Sequence, residues 1–248
     1  MNSFDLLSRF EKSMNARIVS HRCGYFPDKT ATVVVFDFGA SLPPEYMDFL
    51  LAHGYRRCGY IFYRNQCVGC AECRSIRIDV KYFSPNRSQK RNIKLNSDLA
   101  VKFDEPFNSE EKLFVYEKYY MQRHYQFNSC FDEFDAENIQ GIMEDQMFTN
   151  FGNTTECEVR YGDRLVAFST ADIGKESMSA VYTAYDPDFI KRAPGVFVIL
   201  SMLDECRLRN MNYLYLGFYI AKHPKMGYKN SFAPFQIFDG QKWMESVI

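Results

Sequence analysis

The stretch Glu156-Cys-Glu-Val-Arg-Tyr161, followed by Gly162-Asp163 and by Leu165-Val-Ala-Phe-Ser-Thr-Ala-Asp-Ile173, decides the fold class. Two runs rich in strand-forming residues meet across a Gly-Asp dipeptide, which is the signature of a hairpin. Ser179–Tyr185 reads as a third strand. Pro194-Gly195 opens a helix running to about Arg209, in which Val196, Leu200, Leu203 and Cys206 recur at helical spacing. Asn212–Ile220 is a strong fourth strand and Phe232–Phe238 a fifth.

Upstream, Thr32–Phe38 reads as a strand. Ser41-Leu-Pro-Pro-Glu45 is a helix start, with Ser41 as the expected cap of a helix Pro44–Ala52 that stops at Gly54. Cys58–Tyr63 and Ser75–Tyr82 read as strands flanking a cysteine-rich loop. In the second of them Ile76, Ile78 and Val80 alternate with Arg77, Asp79 and Lys81. Leu99–Phe103 is a further short strand. After Glu105-Pro106, the run Asn108-Ser109-Glu110-Glu111 caps a helix carrying Leu113, Tyr116, Tyr120 and His124 on one side through about Tyr125. A second helix is expected over Phe131–Met147. The expected class is α+β. A small mixed, basic, cysteine-containing domain spans residues 1–104, and a second domain with a central, mostly antiparallel sheet spans 105–248. Helices, a meander, then strand–helix–strand is the order of a GCN5-related acyltransferase domain.

The 248 residues, 46% hydrophobic and 25% charged, can bury a core and exclude a disordered or collagen-like chain. No apolar run approaches the roughly 20 residues of a membrane span. The N-terminal MNSFDLLSRFEKSMNAR mixes acids and bases and lacks a secretory pattern, so the chain reads as cytoplasmic, with no membrane partner. The net charge of −1 hides a strong asymmetry. Residues 56–97 hold ten bases against Glu72 and Asp79, a net of +8, and residues 104–147 carry −8. The basic block is where a polyanion docks through counterion release, unless it simply faces the acidic block within the molecule. Within it, Lys81–Ser97 holds five bases and no acid, with Ser88 and Gln89 beside Lys90 and Arg91 to bond phosphate or ribose oxygens.

Cys67-Val-Gly-Cys70-Ala-Glu-Cys73 spaces three thiols for one zinc ion or iron–sulfur cluster, with Cys23 or Cys58 as a distant fourth. The alternative is three reduced thiols in a tight loop. Arg77 stands where a ferredoxin pattern places its next cysteine. Cys130, Cys157 and Cys206 read as core. There is no nucleophile elbow, zinc-protease motif or Walker loop, and His21, His53, His124 and His223 are far apart. In Tyr213-Leu-Tyr-Leu-Gly-Phe-Tyr219, strand alternation puts Tyr213, Tyr215, Gly217 and Tyr219 on one face, followed by Lys222, Lys225 and Lys229. Glycine inside a strand marks a close approach or a kink.

Several segments together resemble the aminoacyl-tRNA–protein transferases, the arginyl- and leucyl-transferases, and in length the bacterial leucyltransferase branch. They are Cys23-Gly-Tyr25, Gly54-Tyr-Arg-Arg-Cys-Gly59, Tyr63-Arg-Asn-Gln-Cys67 through Cys73 and Arg77, Phe83-Ser-Pro-Asn-Arg-Ser-Gln-Lys-Arg91, Ala180-Val-Tyr-Thr-Ala-Tyr-Asp-Pro187, and Leu216-Gly-Phe-Tyr-Ile220 through Lys225-Met-Gly-Tyr-Lys229 with Phe232-Ala-Pro234. The chain departs from the family pattern at Phe26, at His223, at Gln236 and at Ala193-Pro194-Gly195. The resemblance implies a GCN5-like domain that takes leucine or arginine from aminoacyl-tRNA. The amino acid goes to the α-amine of proteins beginning with Asp or Glu, marking them for N-degron degradation, with no cofactor required. Chemistry and motif position nominate Tyr182, Tyr185, Tyr219 and Lys225 for the reaction centre. Arg77, Ser88, Gln89, Lys90, Arg91 and Lys229 are nominated for tRNA and substrate binding, with Arg77, Lys90, Arg91, Lys225 and Lys229 the candidates to grip an acidic side chain. Cys67, Cys70, Cys73 and Cys23 are the metal candidates. A non-catalytic RNA-binding or metal-sensing module is the competing reading. An acetyl-CoA enzyme is disfavoured because Lys191-Arg-Ala-Pro-Gly-Val196 lacks a Gly-rich phosphate loop.

Overall fold

In the computed structural model, residues 3–39, 41–122, 139–221 and 223–245 are described. The first segments are α1 (Ser3–Ser13), β1 (Arg17–Arg22), β2 (Thr30–Asp37), α2 (Pro44–Ala52), β3 (Arg56–Cys58), β4 (Ile61–Asn65), β5 (Arg74–Asp79), α3 (Arg87–Leu95) and β6 (Ala100–Asp104). They are followed by α4 (Glu110–Tyr120), α5 (Ile139–Met143), β7 (Thr154–Tyr161), β8 (Arg164–Ile173), β9 (Ser177–Tyr185), α6 (Pro194–Leu208), β10 (Tyr213–Tyr219), β11 (Phe235–Phe238) and β12 (Trp243–Glu245). The meander β7–β8–β9 and the strand–helix–strand unit β9–α6–β10 stand as the residue pattern predicts. Arg123, His124, Cys130 and most of the expected helix Phe131–Met147 lie outside the described residues. The described end of that helix is α5, continued by a π-helical turn at Glu144–Phe148.

Two sheets organise the chain. One has four antiparallel strands in the order β1-β2-β4-β3. The other has eight, in the order β12-β11-β5-β10-β9-β8-β7-β6. Its strands pair antiparallel except β9 with β10, which run parallel because α6 carries the chain back across the sheet. The expected division after residue 104 does not separate these sheets: β5 sits centrally in the large one, and β6 forms its edge against β7. The reason is burial. Ile76 and Ile78 are 0% exposed, inside the main core with Val198, Leu203 and Leu214, and residues that apolar need partners on both sides of the strand.

Local chemistry explains the helix ends. Ser109 accepts the Lys112 amide hydrogen, capping α4, with Glu110 and Glu111 in its first turn. Ser41 does not cap α2. Pro43 occupies that position, and the Ser41 hydroxyl donates to the Phe151 carbonyl instead. α3 stands where the basic stretch carried no predicted element. Its signal is a reciprocal cap, in which the Asn86 side chain accepts from the Gln89 amide and the Gln89 side chain accepts from the Asn86 amide.

Buried charge joins the two sheets. Arg57 on β3 donates from Nε and Nη2 to both carboxylate oxygens of Asp172 on β8, at 2.6 and 2.8 Å, with both side chains 1% exposed. Thr154 donates a third hydrogen bond to that carboxylate, and the guanidinium lies over the Phe151 ring. Elsewhere Lys112 is fully enclosed, paired with Glu156 and Glu158 and set against the Phe107 ring. Burial raises the Glu156 carboxyl to about 7, against the opposing pull of Lys112.

Removing one member of such a pair strands the other in an apolar interior. Asp172→Asn is expected to destabilise the protein by about 3 kcal/mol or more, read as a lowered urea midpoint. The double replacement Arg57→Met with Asp172→Leu is expected to recover much of that loss. A midpoint for Asp172→Asn equal to the parent's contradicts a strong tie between the sheets.

Candidate active site at the parting of two strands

β9 and β10 pair only through Ser177–Ser179 and Tyr213–Tyr215. Beyond that point the ladder ends, although both strands continue. On its other side β10 stays paired with β5, with an irregularity between Tyr215 and Gly217. This bulge breaks the predicted single face of Tyr213, Tyr215, Gly217 and Tyr219. Tyr215 faces the smaller core with Tyr213 and Trp243 against it, whereas Tyr219 joins Leu214 and Leu216 in the main core.

The close approach predicted at Gly217 is made by the chain itself. Gly217 has φ +81°, and a Cβ there would lie 1.3 Å from Nη1 of Arg56. Arg56 reaches from β3 into the gap, and its Nη2 donates to the carbonyls of Ala180 and Val181 at 3.1 and 3.3 Å. These are the β9 residues just past the end of the ladder, so the guanidinium replaces the missing strand partner.

Lys229 enters from the other side. The residue is half-buried, and its ammonium donates to the Phe218 carbonyl at 2.6 Å. Burial, and secondly Arg56, pull its pKa down to about 7. Tyr63 and Tyr25 complete the surroundings. Burial raises both phenols, and Arg56 opposes the rise in each. The Tyr63 ring meets Phe218 edge-on at 5.9 Å, and the Tyr25 ring meets His223 at 5.4 Å. The His223 Nδ1 accepts the Lys225 amide hydrogen, and burial lowers its pKa. Cys73 lies close enough to Tyr25 and Tyr63 to influence both, and burial pushes its thiol up to about 12. The assembly therefore holds cations, neutral phenols and a neutral thiol.

The nominated residues are distributed unevenly around this centre. Lys229 is in it, and Lys225 lies at its margin beside His223. Tyr182 is half-buried, packed against Tyr116 and Tyr119 of α4, and Tyr185 packs on Tyr119 at 4.8 Å. Tyr219 packs on Phe235. Tyr185 and Tyr219 are core residues and Tyr182 lies at the edge of another cluster, so the three do not converge. Arg77 is held elsewhere, sandwiched between Tyr213 and Trp243 at 3.7 and 4.3 Å, and donates to Gln236 and Tyr215. Ser88, Lys90 and Arg91 are exposed on α3 with Arg87 and Lys94, whereas Gln89 is buried in the helix cap. Asn86 and Gln89 both donate to the Ser231 carbonyl, two residues beyond Lys229 in the chain, which ties the basic helix to the rim of the gap. Arg56 was legible only as one of ten bases and as a member of the matching segment Gly54-Tyr-Arg-Arg-Cys-Gly59, with no role attached. The strand glycine opposite it was the signal that pointed here.

Cys23, Cys67, Cys70 and Cys73 are unbridged, and Cys73 feels the other three electrostatically. Cys67 is engaged with the Thr32 backbone, and Cys70 accepts from Lys29 at 3.8 Å. Among the described residues no three side chains form a group able to hold a metal ion.

The lowered pKa of Lys229 gives a stability prediction. Below about 7 the folded protein carries the full cost of an enclosed ammonium. Between about 7 and the ordinary lysine value the unfolded chain binds the extra proton, so this cost falls as pH rises. Lys229→Met is therefore expected to gain most in stability over the parent near pH 6. The gain should shrink by a few kcal/mol, order of magnitude, toward pH 10, read by urea unfolding at both pH values. A difference that stays constant with pH refutes the enclosed-ammonium reading.

Comparison with known proteins shows the family. The arginine-tRNA-protein transferase N-terminus model matches residues 21–91, and the C-terminus model of the same family matches 111–239. The aspartate/glutamate leucyltransferase of Teredinibacter turnerae is 37% identical over 225 residues, covering 90% of each chain. That of Leptospira interrogans is 34% identical over 228 residues, covering 90% of this chain and 88% of the relative. In shape the chain is similar to the crystal structure of FemX, with a TM-score of 0.51 at 8% identity, covering 100% of this chain and 77% of FemX. No helix among the described residues is long and apolar enough to cross a membrane. Matching both family models in order, and over nine-tenths of its length such relatives, the chain belongs to the arginine-tRNA-protein transferase family and is an aminoacyltransferase.

Proposed function

We propose that this enzyme transfers leucine from leucyl-tRNA to the α-amine of proteins whose first residue is Asp or Glu, in the cytoplasm, and so marks them for degradation. The observation that carries the reading is the clamp of Asn86 and Gln89 on the Ser231 carbonyl. It makes one body of a helix bearing exposed Arg87, Lys90, Arg91 and Lys94 and of the gap holding Arg56 and Lys229. A basic helix neutralises RNA phosphates, and the gap receives the aminoacyl end. The names of the relatives support leucine as donor and acidic residues as acceptors. The gap agrees, since a cationic arginyl group would enter beside two cations.

The chemistry asks little of the protein. An aminoacyl ester is already activated, and an α-amine with pKa about 7.7–8.0 is partly neutral at pH 7. Its nitrogen attacks the ester carbonyl carbon. A C–N bond forms, the C–O bond to the ribose breaks, and the released tRNA hydroxyl takes up the proton that the amine gives up. Holding the two reactants in attack geometry supplies much of the acceleration. Backbone N–H groups freed where β9 and β10 part are suited to the oxyanion. Lys225, at the rim, is suited to the tRNA end. The cysteine loop is structural in this scheme and takes no part in the reaction.

The test is transfer of labelled amino acid from individually charged tRNAs to peptides beginning Asp, Glu, Asn or Ala. Leucine is expected on the Asp and Glu peptides. Transfer from arginyl-tRNA alone, or retention of RNA with no transfer, refutes the reading. Replacing Lys90 and Arg91 together by Ala is expected to shrink the slope of log affinity for tRNA against log salt by about two. An unchanged slope removes α3 from the RNA surface.

A further inference from the structure

Most enclosed cations of this protein have visible compensation. Arg57 has Asp172, Lys112 has Glu156 and Glu158, and Arg64 has Glu11. Arg77 has the faces of Tyr213 and Trp243. Arg56 and Lys229 differ. They sit close enough that Arg56 depresses the protonation of Lys229, and among the described residues no carboxylate lies within ion-pair distance of either. Both hydrogen-bond to neutral backbone carbonyls, Arg56 to Ala180 and Val181 and Lys229 to Phe218, and the Arg56 guanidinium lies 6.0 Å from the centre of the Phe218 ring. Those bonds use Nη2 of Arg56, while Nη1 and Nε keep donors for a further partner. Two cations held together in a partly dry gap repel each other, and an arriving anion removes that repulsion.

We infer that Arg56, supported by Lys229, forms the subsite that binds the side-chain carboxylate of the acceptor's first residue. This rests on the acceptor reading above and adds to it the residues that select the acid. The guanidinium fork matches a carboxylate through two parallel hydrogen bonds, a geometry that an amide of the same shape cannot repay with charge. The neutral hydroxyls of Tyr25 and Tyr63 put no competing anion beside it. Gly217 is part of the device. With no side chain it leaves the room in which the guanidinium lies. Because Arg56 is also bonded to β9, it presents its remaining donors next to the parting strands, one side chain's length from an amine placed there.

The experiment measures binding of fluorescent peptides that differ only in beginning with Asp or Asn, without tRNA, alongside separate binding of leucyl-tRNA. The parent is expected to prefer the Asp peptide. Arg56→Gln should lower that Asp-to-Asn preference by about tenfold or more, and by a larger factor than it lowers leucyl-tRNA affinity. Arg56→Lys should keep part of the preference, since a point charge remains. Gly217→Ala leaves Arg56 in the chain but displaces its guanidinium, and should lower the preference in the same way. The subsite is refuted if Arg56→Gln, shown to be folded by its urea transition, keeps the parent's preference, or if Arg56→Gln and Gly217→Ala weaken both peptides equally. It is also refuted if the loss falls on leucyl-tRNA instead. The two readings separate cleanly. A parent that prefers the Asp peptide but transfers nothing from charged tRNA sinks the reaction and leaves the subsite. Active transfer with an unaltered preference in Arg56→Gln sinks the subsite alone.

Discussion

The buried pair of Arg57 with Asp172 is the constraint on which the rest depends. It joins a three-residue strand of the small sheet to β8 of the large one through two hydrogen bonds, almost wholly shielded from water. Neighbouring residues of a strand point to opposite faces, so fixing Arg57 also fixes the direction in which Arg56 leaves β3. That direction leads into the gap between β9 and β10. One electrostatic tie thus orients the group that fills the opening, and the glycine of β10 admits it.

The distribution of compensated and uncompensated charge separates architecture from function. Lys112 is as deeply buried as any charge in the protein, yet it is enclosed by two carboxylates and aromatic rings and has nothing to offer a ligand. Arg77 is likewise saturated by ring faces, Gln236 and Tyr215. Arg56 and Lys229 rest on carbonyl dipoles and, for Arg56, on the Phe218 ring, with no carboxylate beside them among the described residues, an arrangement that is tolerable in the free protein and improved by an anion.

The basic helix α3 owes its place to polar side chains. Asn86 and Gln89 hold its start to the Ser231 carbonyl, and Asn92 and Asn96 hold its end to the Arg192 carbonyl beside the start of α6. Its charged face is left outward and its amide face is spent on anchoring. A long polyanion bound along that face is therefore in register with the loop that carries Lys229.

The β7–β8–β9 meander, α6 and β10 were legible because their apolar periodicity and turn dipeptides are local. So was the glycine of β10, which announced a close approach from its position in a strand. Which group approaches it was not legible, because Arg56 lies 161 residues earlier in the chain and no local pattern links them. The placement of β5 in the large sheet was hidden for the same reason: alternation reports which face is buried, not which strands cover the edges. Of the tyrosines nominated for the reaction centre, Tyr185 and Tyr219 went to the main core and Tyr182 packs at the edge of another cluster, since a buried tyrosine and a tyrosine beside a substrate have the same pattern, and a single bulge at β10 reversed the face of Tyr219. The residues themselves determined the elements, the dipolar charge and the family. Only tertiary structure decided which charges were neutralised and which were left to wait for a partner, because ion pairing depends on distance in space, which a chain of helices and strands does not set until they pack.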